Sequence, residues 1–154
     1  MNHKHHGHSD SKLKEGNILQ LATSATLHCL VGCGIGEVAG LIIATHFGLP
    51  MTTSMILAIT LGFIAGFALG IIPLIRKRFA FSRALKIVLV AEGLSIAVME
   101  AFEALTQLII PGVMTANLTD SIFWVGMFVS LTVGFLAALP INYFMIKKGI
   151  RHQH

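Results

Sequence analysis

The chain has 154 residues, of which 55% are hydrophobic and only 12% are charged, and its mean hydropathy is +0.79. Soluble domains carry about 25% charged residues, and a chain of this size cannot bury so much apolar surface in water. The composition therefore excludes a soluble globular protein and predicts a membrane protein. The net charge of +4 does not indicate binding to nucleic acid, because the basic residues flank the apolar segments.

Residues 1–17 form a polar tail with too little apolar content to fold, so we expect this tail to be disordered. It also lacks the apolar stretch of a cleavable signal peptide. Clustered imidazoles bind transition metals, so the tail is either a collector of metal ions or simply a solvated segment. The histidines concerned are His3, His5, His6 and His8.

Four apolar segments follow, and each exceeds the roughly 20 residues that a helix needs to cross a bilayer. They cover residues 18–47, 51–75, 84–110 and 122–146. None has a continuous charged face, which argues against a soluble helical bundle. The sequence predicts an all-α fold in which residues 18–148 form a bundle of four transmembrane helices, followed by a short C-terminal tail at 149–154.

Basic residues lie on only one side of this predicted bundle. All 11 lysines and arginines lie before the first segment, between the second segment and the first turn of the third, or after the fourth. The connections at 47–51 and 111–121 contain none. The positive-inside rule therefore places both termini in the cytoplasm.

Small residues recur at every fourth position in the first two segments. Such ridges allow two helices in a membrane to approach closely. The contact lies either within one chain or between copies of the chain, and a homo-oligomer is one expectation. The ridges are Gly32, Gly36 and Gly40 in the first segment and Gly62, Gly66 and Gly70 in the second.

The first segment also contains residues of the types that bind metals in proteins, beginning with the neighbours His28 and Cys29. At 100° per residue, Cys29, Cys33 and Glu37 share one face of a helix. Thiolates and imidazoles are ligands for Cu(I) and Zn(II). Cysteines four residues apart on a helix can reach one ion.

The third segment contains Glu92, Met99, Glu100 and Glu103. Three of them, Glu92, Met99 and Glu103, fall on one helix face, with Glu100 beside it. A charged side chain at the centre of a membrane costs about 3 kcal/mol on the insertion scale. These glutamates must therefore face the bundle interior, be protonated or bind cations, and such residues indicate a functional site.

If the first and third helices touch, the two sets of side chains form one column inside the bundle. We expect the lower part to bind the metal and the acidic upper part to be a pathway toward the outer face. The predicted metal ligands are His28, Cys29, Cys33, Glu37, Glu92 and Met99, and the predicted pathway residues are Glu100 and Glu103.

These residues predict a protein that binds, and translocates, a transition-metal ion rather than an enzyme. Cu(I) is favoured because cysteine and methionine suit it, and Zn(II) comes next because histidine and glutamate suit it equally. The sequence has no ATP-binding loop motif, so transport would be passive or coupled to protons. Two alternatives stay open: a membrane thiol-disulfide oxidoreductase using Cys29 and Cys33, and a non-catalytic assembly scaffold.

The pattern His28-Cys29-x-x-Gly32-Cys33-x-x-Gly36-Glu37 resembles the hallmark of a small family of bacterial integral membrane proteins of unknown function. The Ala91-Glu92-Gly93 stretch and the ending from Pro140 are also similar to that family. The resemblance covers nearly the whole chain after the tail. It implies a multi-pass protein of the bacterial inner membrane, and it implies no established activity.

Overall fold

A computed structural model of the chain describes the backbone of residues 6–148 and the side chains from Glu15 onward. This part of the chain is helical, which confirms the predicted all-α class with four long helices. A short 3-10 helix, Val113–Thr115, lies between the last two. The long helices are α1 (His6–His46), α2 (Met51–Arg76), α3 (Phe81–Ile109) and α4 (Ser121–Lys147).

The predicted segments agree with these helices to within a few residues, except at the start of the chain. There, α1 begins at His6 rather than near residue 18. Residues 1–5, the side chains of residues 6–14 and residues 149–154 lie outside the described part of the chain. The disordered histidine-rich tail and the short C-terminal tail therefore stay predictions.

Tight turns join the first three helices. At the end of α1, Gly48 has a φ of +60°, and the next N–H, of Leu49, donates to the Ala44 carbonyl at 2.9 Å. The end of α2 has the same geometry with Arg78 in the left-handed position that glycine usually takes. Because these turns are so short, each helix runs antiparallel to the one before it.

The four helices form an antiparallel bundle. Helix α1 packs mainly against α2 and α4, and α3 packs against the same two helices, so α1 and α3 face each other diagonally. The two small-residue ridges meet in the α1–α2 contact. A Cβ on Gly32 would lie 2.8 Å from the Gly66 Cα, and one on Gly40 would lie 2.6 Å from the Ala58 Cα. This glycine face is thus occupied within one protomer, and association of protomers stays a prediction.

Apolar side chains cover the outside of the bundle, and acidic side chains lie inside it. Val90 and Phe128, for example, are 67% and 73% exposed, whereas Glu37 and Glu103 are buried. This is the reverse of a soluble protein. Three helices, α1 over Glu15–His46, α2 and α4, are long and apolar enough to cross a membrane. In α3 the charged residues lower the hydropathy, although its exposed face is apolar.

Candidate metal centre

Three buried glutamates meet at the centre of the bundle. Glu37 comes from α1, and Glu100 and Glu103 come from α3. Each offers a carboxylate oxygen, and the three oxygens lie within 4.8 Å of one another. The residues are 3%, 2% and 0% exposed, respectively. We refer to Glu37, Glu100 and Glu103 as the carboxylate triad.

Glycines on the neighbouring helices provide the space that the triad occupies. A Cβ added to Gly62 of α2 would lie 3.3 Å from the carboxyl carbon of Glu100. A Cβ added to Gly134 of α4 would lie 2.9 Å from the carboxyl carbon of Glu103. The two α3 carboxyl groups therefore pack directly against the backbones of α2 and α4, which fixes their position.

The triad has no positively charged partner in the described part of the chain. Glu37 Oε2 and both carboxylate oxygens of Glu100 and of Glu103 are buried and have no hydrogen-bond partner among the described residues. Burying a carboxylate without a compensating partner costs several kcal/mol, and three neighbouring anions also repel one another. The described geometry is therefore that of a site which requires protons or a cation to neutralise it.

A layer of sulfur atoms adjoins the triad. Cys29, Cys33 and Met99 are completely buried and pack with Ile96 and Ala138. Both cysteines are thiols. The Cys33 side chain lies beside the Glu100 carboxyl group, so the sulfur layer is continuous with the triad.

A cavity leads from one end of the bundle to the triad. Its volume is about 230 Å³, and Glu37 lines it. The other lining residues belong to the ends of helices at the α1–α2 and α3–α4 connections. Near the triad, Gln107 Nε2 donates to Ser130 Oγ at 3.4 Å and joins α3 to α4. The methionines lining this cavity are Met51, Met55, Met114 and Met127.

Two of the predicted ligands lie away from the triad. His28 is exposed on α1, and Glu92 is half-buried and packs against Gly70 of α2. Glu92 precedes Glu100 by eight residues, which corresponds to about 12 Å along a helix. Both residues line a different cleft, at the end where α2 meets α3. The structure therefore brings six of the eight predicted site residues together, as triad and sulfur layer, but not His28 and Glu92.

A third stripe of small and polar residues was not recognised in the sequence, although its spacing of four was visible there. It lies on α4, and all its members are buried. Within it, the Asn142 side-chain amide donates to Thr26 Oγ1 of α1 at 2.8 Å, and Gly134 makes room for Glu103. The stripe consists of Gly126, Ser130, Gly134, Ala138 and Asn142.

Comparison with known families places the whole bundle in one family. The chain belongs to the family described as Domain of unknown function (DUF4396), which matches residues 20–151. The match begins within α1 and extends past the end of α4. No curated protein and no solved structure matches the chain. Membership of this family assigns no activity to the chain, so its function has to be inferred from the site itself.

Proposed function

We propose that this chain is a membrane protein that binds a divalent transition-metal cation of the Zn(II) class at the carboxylate triad and passes it across the membrane. One observation carries the proposal. Five carboxylate oxygens of Glu37, Glu100 and Glu103 are buried together without a hydrogen bond of ordinary geometry, and the groups beside them in the described structure are one another and the Cys33 thiol, with no cation. A cation supplies the positive charge that this environment lacks, and intramembrane ionisable groups commonly mark ion pathways.

The donor atoms favour Zn(II) over the Cu(I) that the cysteines suggested. Zn(II) accepts carboxylate oxygens and thiolates at about 2.0–2.3 Å, whereas Cu(I) prefers sulfur. The triad offers oxygens within 4.8 Å of one another, and Cys33 adds one thiol beside them. A tetrahedral ion separates its ligands by roughly 3.4 Å, a spacing that lies within the 4.8 Å that encloses the triad oxygens. Cys33 also makes the site less suited to Mg²⁺ or Ca²⁺, which prefer oxygen.

The cavity gives the triad an access route. It reaches Glu37 from the end of the bundle opposite the basic residues. On the other side of the triad lies the closed layer of Cys29, Cys33 and Met99, which a translocated ion would cross next. Carboxyl groups must release protons to bind a metal, so we infer that cation movement is exchanged for proton movement. Binding should accordingly weaken as the pH falls.

Four spans and a cytoplasmic location of both termini complete the proposal. The exposed face of α3 is apolar, which suits a helix that contacts lipid while its glutamates face the interior. The basic residues at the α2–α3 connection and after α4 favour a cytoplasmic location for that end. Residence in a bacterial inner membrane is what the resemblance of the pattern around Cys29 and Cys33 to a family of bacterial membrane proteins implies.

The two alternatives have less support. A thiol-disulfide oxidoreductase needs thiols that a partner can reach, but Cys29 and Cys33 have no exposed surface. An assembly scaffold has no need for buried carboxylates without donors, since an apolar core would be more stable. Neither alternative explains why three carboxyl groups are buried together. The proposed binding and passage of a cation needs no catalytic step.

The decisive experiment compares two glutamates on the same helix. Glu100→Gln removes one charge from the triad, whereas Glu92→Gln removes one charge outside it; both residues pack against a glycine of α2. Purified variants would be equilibrated with Zn(II) in detergent and analysed for bound metal, with the histidines at 3, 5, 6 and 8 replaced by serine throughout. We expect about one zinc per chain for the parent and for Glu92→Gln, and loss of zinc in Glu100→Gln.

The same samples test the other metal and the transport step. Zinc retained in Glu100→Gln would refute the triad as the binding site. Stoichiometric Cu(I) that is lost on replacing Cys29 and Cys33, but kept in Glu100→Gln, would move the site to the sulfur layer and restore Cu(I) as the preferred ion. Zinc entry into proteoliposomes, followed with an enclosed zinc-sensitive dye, should require Glu100, and because protons leave as zinc enters, it should alkalinise the lumen in proportion to flux.

A further inference from the structure

A second cavity lies at the basic end of the bundle and takes no part in the proposed metal site. It is a cleft of about 710 Å³ formed mainly by α2 and α3, with His28 of α1 on its wall. Its wall includes the apolar side chains of Leu74, Val88 and Val90. The cleft is therefore largely apolar, although it lies where the helices carry most of their charge.

Three cations surround the opening of this cleft. Lys77, Arg83 and Lys86 line it, and all three are exposed. The Arg83 guanidinium lies over the ring of Phe79, 5.6 Å from its centroid, so one of these cations is held in place. The acidic residue of the lining, Glu92, lies nine residues after Arg83, about 13 Å along α3. Three cations and one carboxylate line the cleft, so its opening carries a net positive charge.

One side of the apolar wall consists of buried, packed side chains, and the other side is exposed at the surface of the bundle. Leu74 and Val88 are buried members of a cluster that joins α2 to α3, with Phe79 packed against it. Val90, by contrast, is exposed on the outside of the bundle. The cleft thus joins a basic opening at the end of the helices to an apolar surface that faces the membrane.

We propose that this cleft binds an anionic phospholipid from the leaflet at the basic end of the bundle. The phosphate group contacts Lys77, Arg83 and Lys86, and an acyl chain lies against Leu74 and Val90. Arginine and lysine form short, charge-assisted hydrogen bonds with phosphate, and basic pockets between transmembrane helices suit anionic headgroups. A free phosphate ion would use only the basic opening and leave the apolar wall uncovered.

The chain itself offers a matched control for the basic charges. Arg76, Lys147 and Lys148 are also exposed at the basic end, but they do not line the cleft. Replacing these three by glutamine removes as much charge from the same membrane face as replacing Lys77, Arg83 and Lys86. A difference between the two triple variants therefore reports on the cleft rather than on surface charge.

The experiment is native mass spectrometry of the full chain in detergent. Phosphatidylglycerol and phosphatidylcholine with identical acyl chains would be added in turn. We expect preferential retention of phosphatidylglycerol by the parent and by the Arg76, Lys147 and Lys148 control. The variant Lys77→Gln/Arg83→Gln/Lys86→Gln should retain it about a hundredfold less. Arg83→Gln alone should lower retention about fivefold, which gives a result even if the triple variant does not fold.

Three outcomes would overturn the proposal. Equal losses in the two triple variants would mean that surface charge alone attracts the lipid. Equal retention of phosphatidylcholine would mean that the headgroup charge is not recognised. Displacement of the lipid by glycerol phosphate at the same concentration would mean that the site binds phosphate without the acyl chain. None of these measurements depends on metal binding, so they test the lipid site independently of the proposed metal site at the triad.

Discussion

At the scale of single residues, the centre of this bundle depends on pairing glutamates with glycines. Along α2 and α3, Glu100 lies against Gly62 and Glu92 lies against Gly70. Because the two helices run antiparallel and both the glutamates and these glycines are eight residues apart, the two pairs stay in register. A carboxyl group needs room that a close helix contact provides only where one partner has no side chain. Each of these glycines therefore determines where an acidic side chain lies.

Replacing Gly134 by alanine should displace a carboxyl group of the triad while leaving all three glutamates in the sequence. The new Cβ would lie 2.6 Å from Glu103 Cγ, in a buried position where the side chain has little room to move. Overpacking of this kind costs about 1–3 kcal/mol, and it should weaken zinc binding by displacing one ligand. Unfolding in detergent and zinc titration measure the two effects.

The matched control for this change is Gly93→Ala on α3. Its Cβ would meet only the Phe67 ring, at 3.8 Å, which is ordinary contact. Both stability and zinc affinity should stay near the parent values. If Gly134→Ala binds zinc as tightly as Gly93→Ala does, Glu103 is not a ligand.

The sequence predicted which side chains face inward better than it predicted which of them meet. Helical geometry correctly grouped Cys29, Cys33 and Glu37 on one buried face of α1. It could not tell that His28 is exposed and that Glu92 faces α2, because a helical wheel gives the direction of a side chain but not the identity of its neighbour. Those two positions depend on how α2 and α3 are rotated relative to α1.

At the scale of helices, the apolar segments predicted where the helices lie in the sequence. They did not predict which helices pack against each other. The boundaries of α2 and α4 follow from the run of apolar residues and the flanking charges. The start of α1 does not, since its first turns contain no apolar run that a hydropathy argument detects. The small residues predicted close approach, but only the structure assigns that approach to the α1–α2 contact within one chain.

Replacing Gly36 by alanine should separate α1 from α2. Its Cβ would fall against the backbone of Leu61 and lie 2.6 Å from the Gly62 Cα, and backbone atoms cannot move aside as a side chain can. We expect a loss of about 3 kcal/mol in the free energy of unfolding, measured by titration with a denaturing detergent and circular dichroism.

Gly34→Ala, two residues earlier on the same helix, is the control for this loss. Its Cβ would lie 3.6 Å from a methyl group of Leu131, in normal contact. The free energy of unfolding should stay within about 1 kcal/mol of the parent, because alanine also favours helix. Similar losses for both variants would contradict a close α1–α2 contact at Gly36.

At the scale of the whole molecule, the charges, cavities and acidic residues are arranged along one axis. The basic residues and the larger cleft lie at one end, and the smaller cavity opens at the other and reaches Glu37. The sequence predicted that the basic residues lie at one end only. It could not predict the cavities, because their walls combine side chains from three or more helices whose relative heights are set by packing.

The arrangement in a membrane can be tested with two single cysteines on either side of α3. Ser82 precedes most of that helix and Thr119 follows it, and both are exposed. If α3 spans the membrane with the basic end in the cytoplasm, Thr119→Cys should react with a membrane-impermeant maleimide on intact cells. Ser82→Cys should react only after the cells are opened. The parent chain serves as the blank, because Cys29 and Cys33 are buried.

Labelling of both positions from the same side would mean that α3 does not cross the membrane. The reverse pattern would invert the proposed orientation, and the cavity would then reach the triad from the cytoplasmic side.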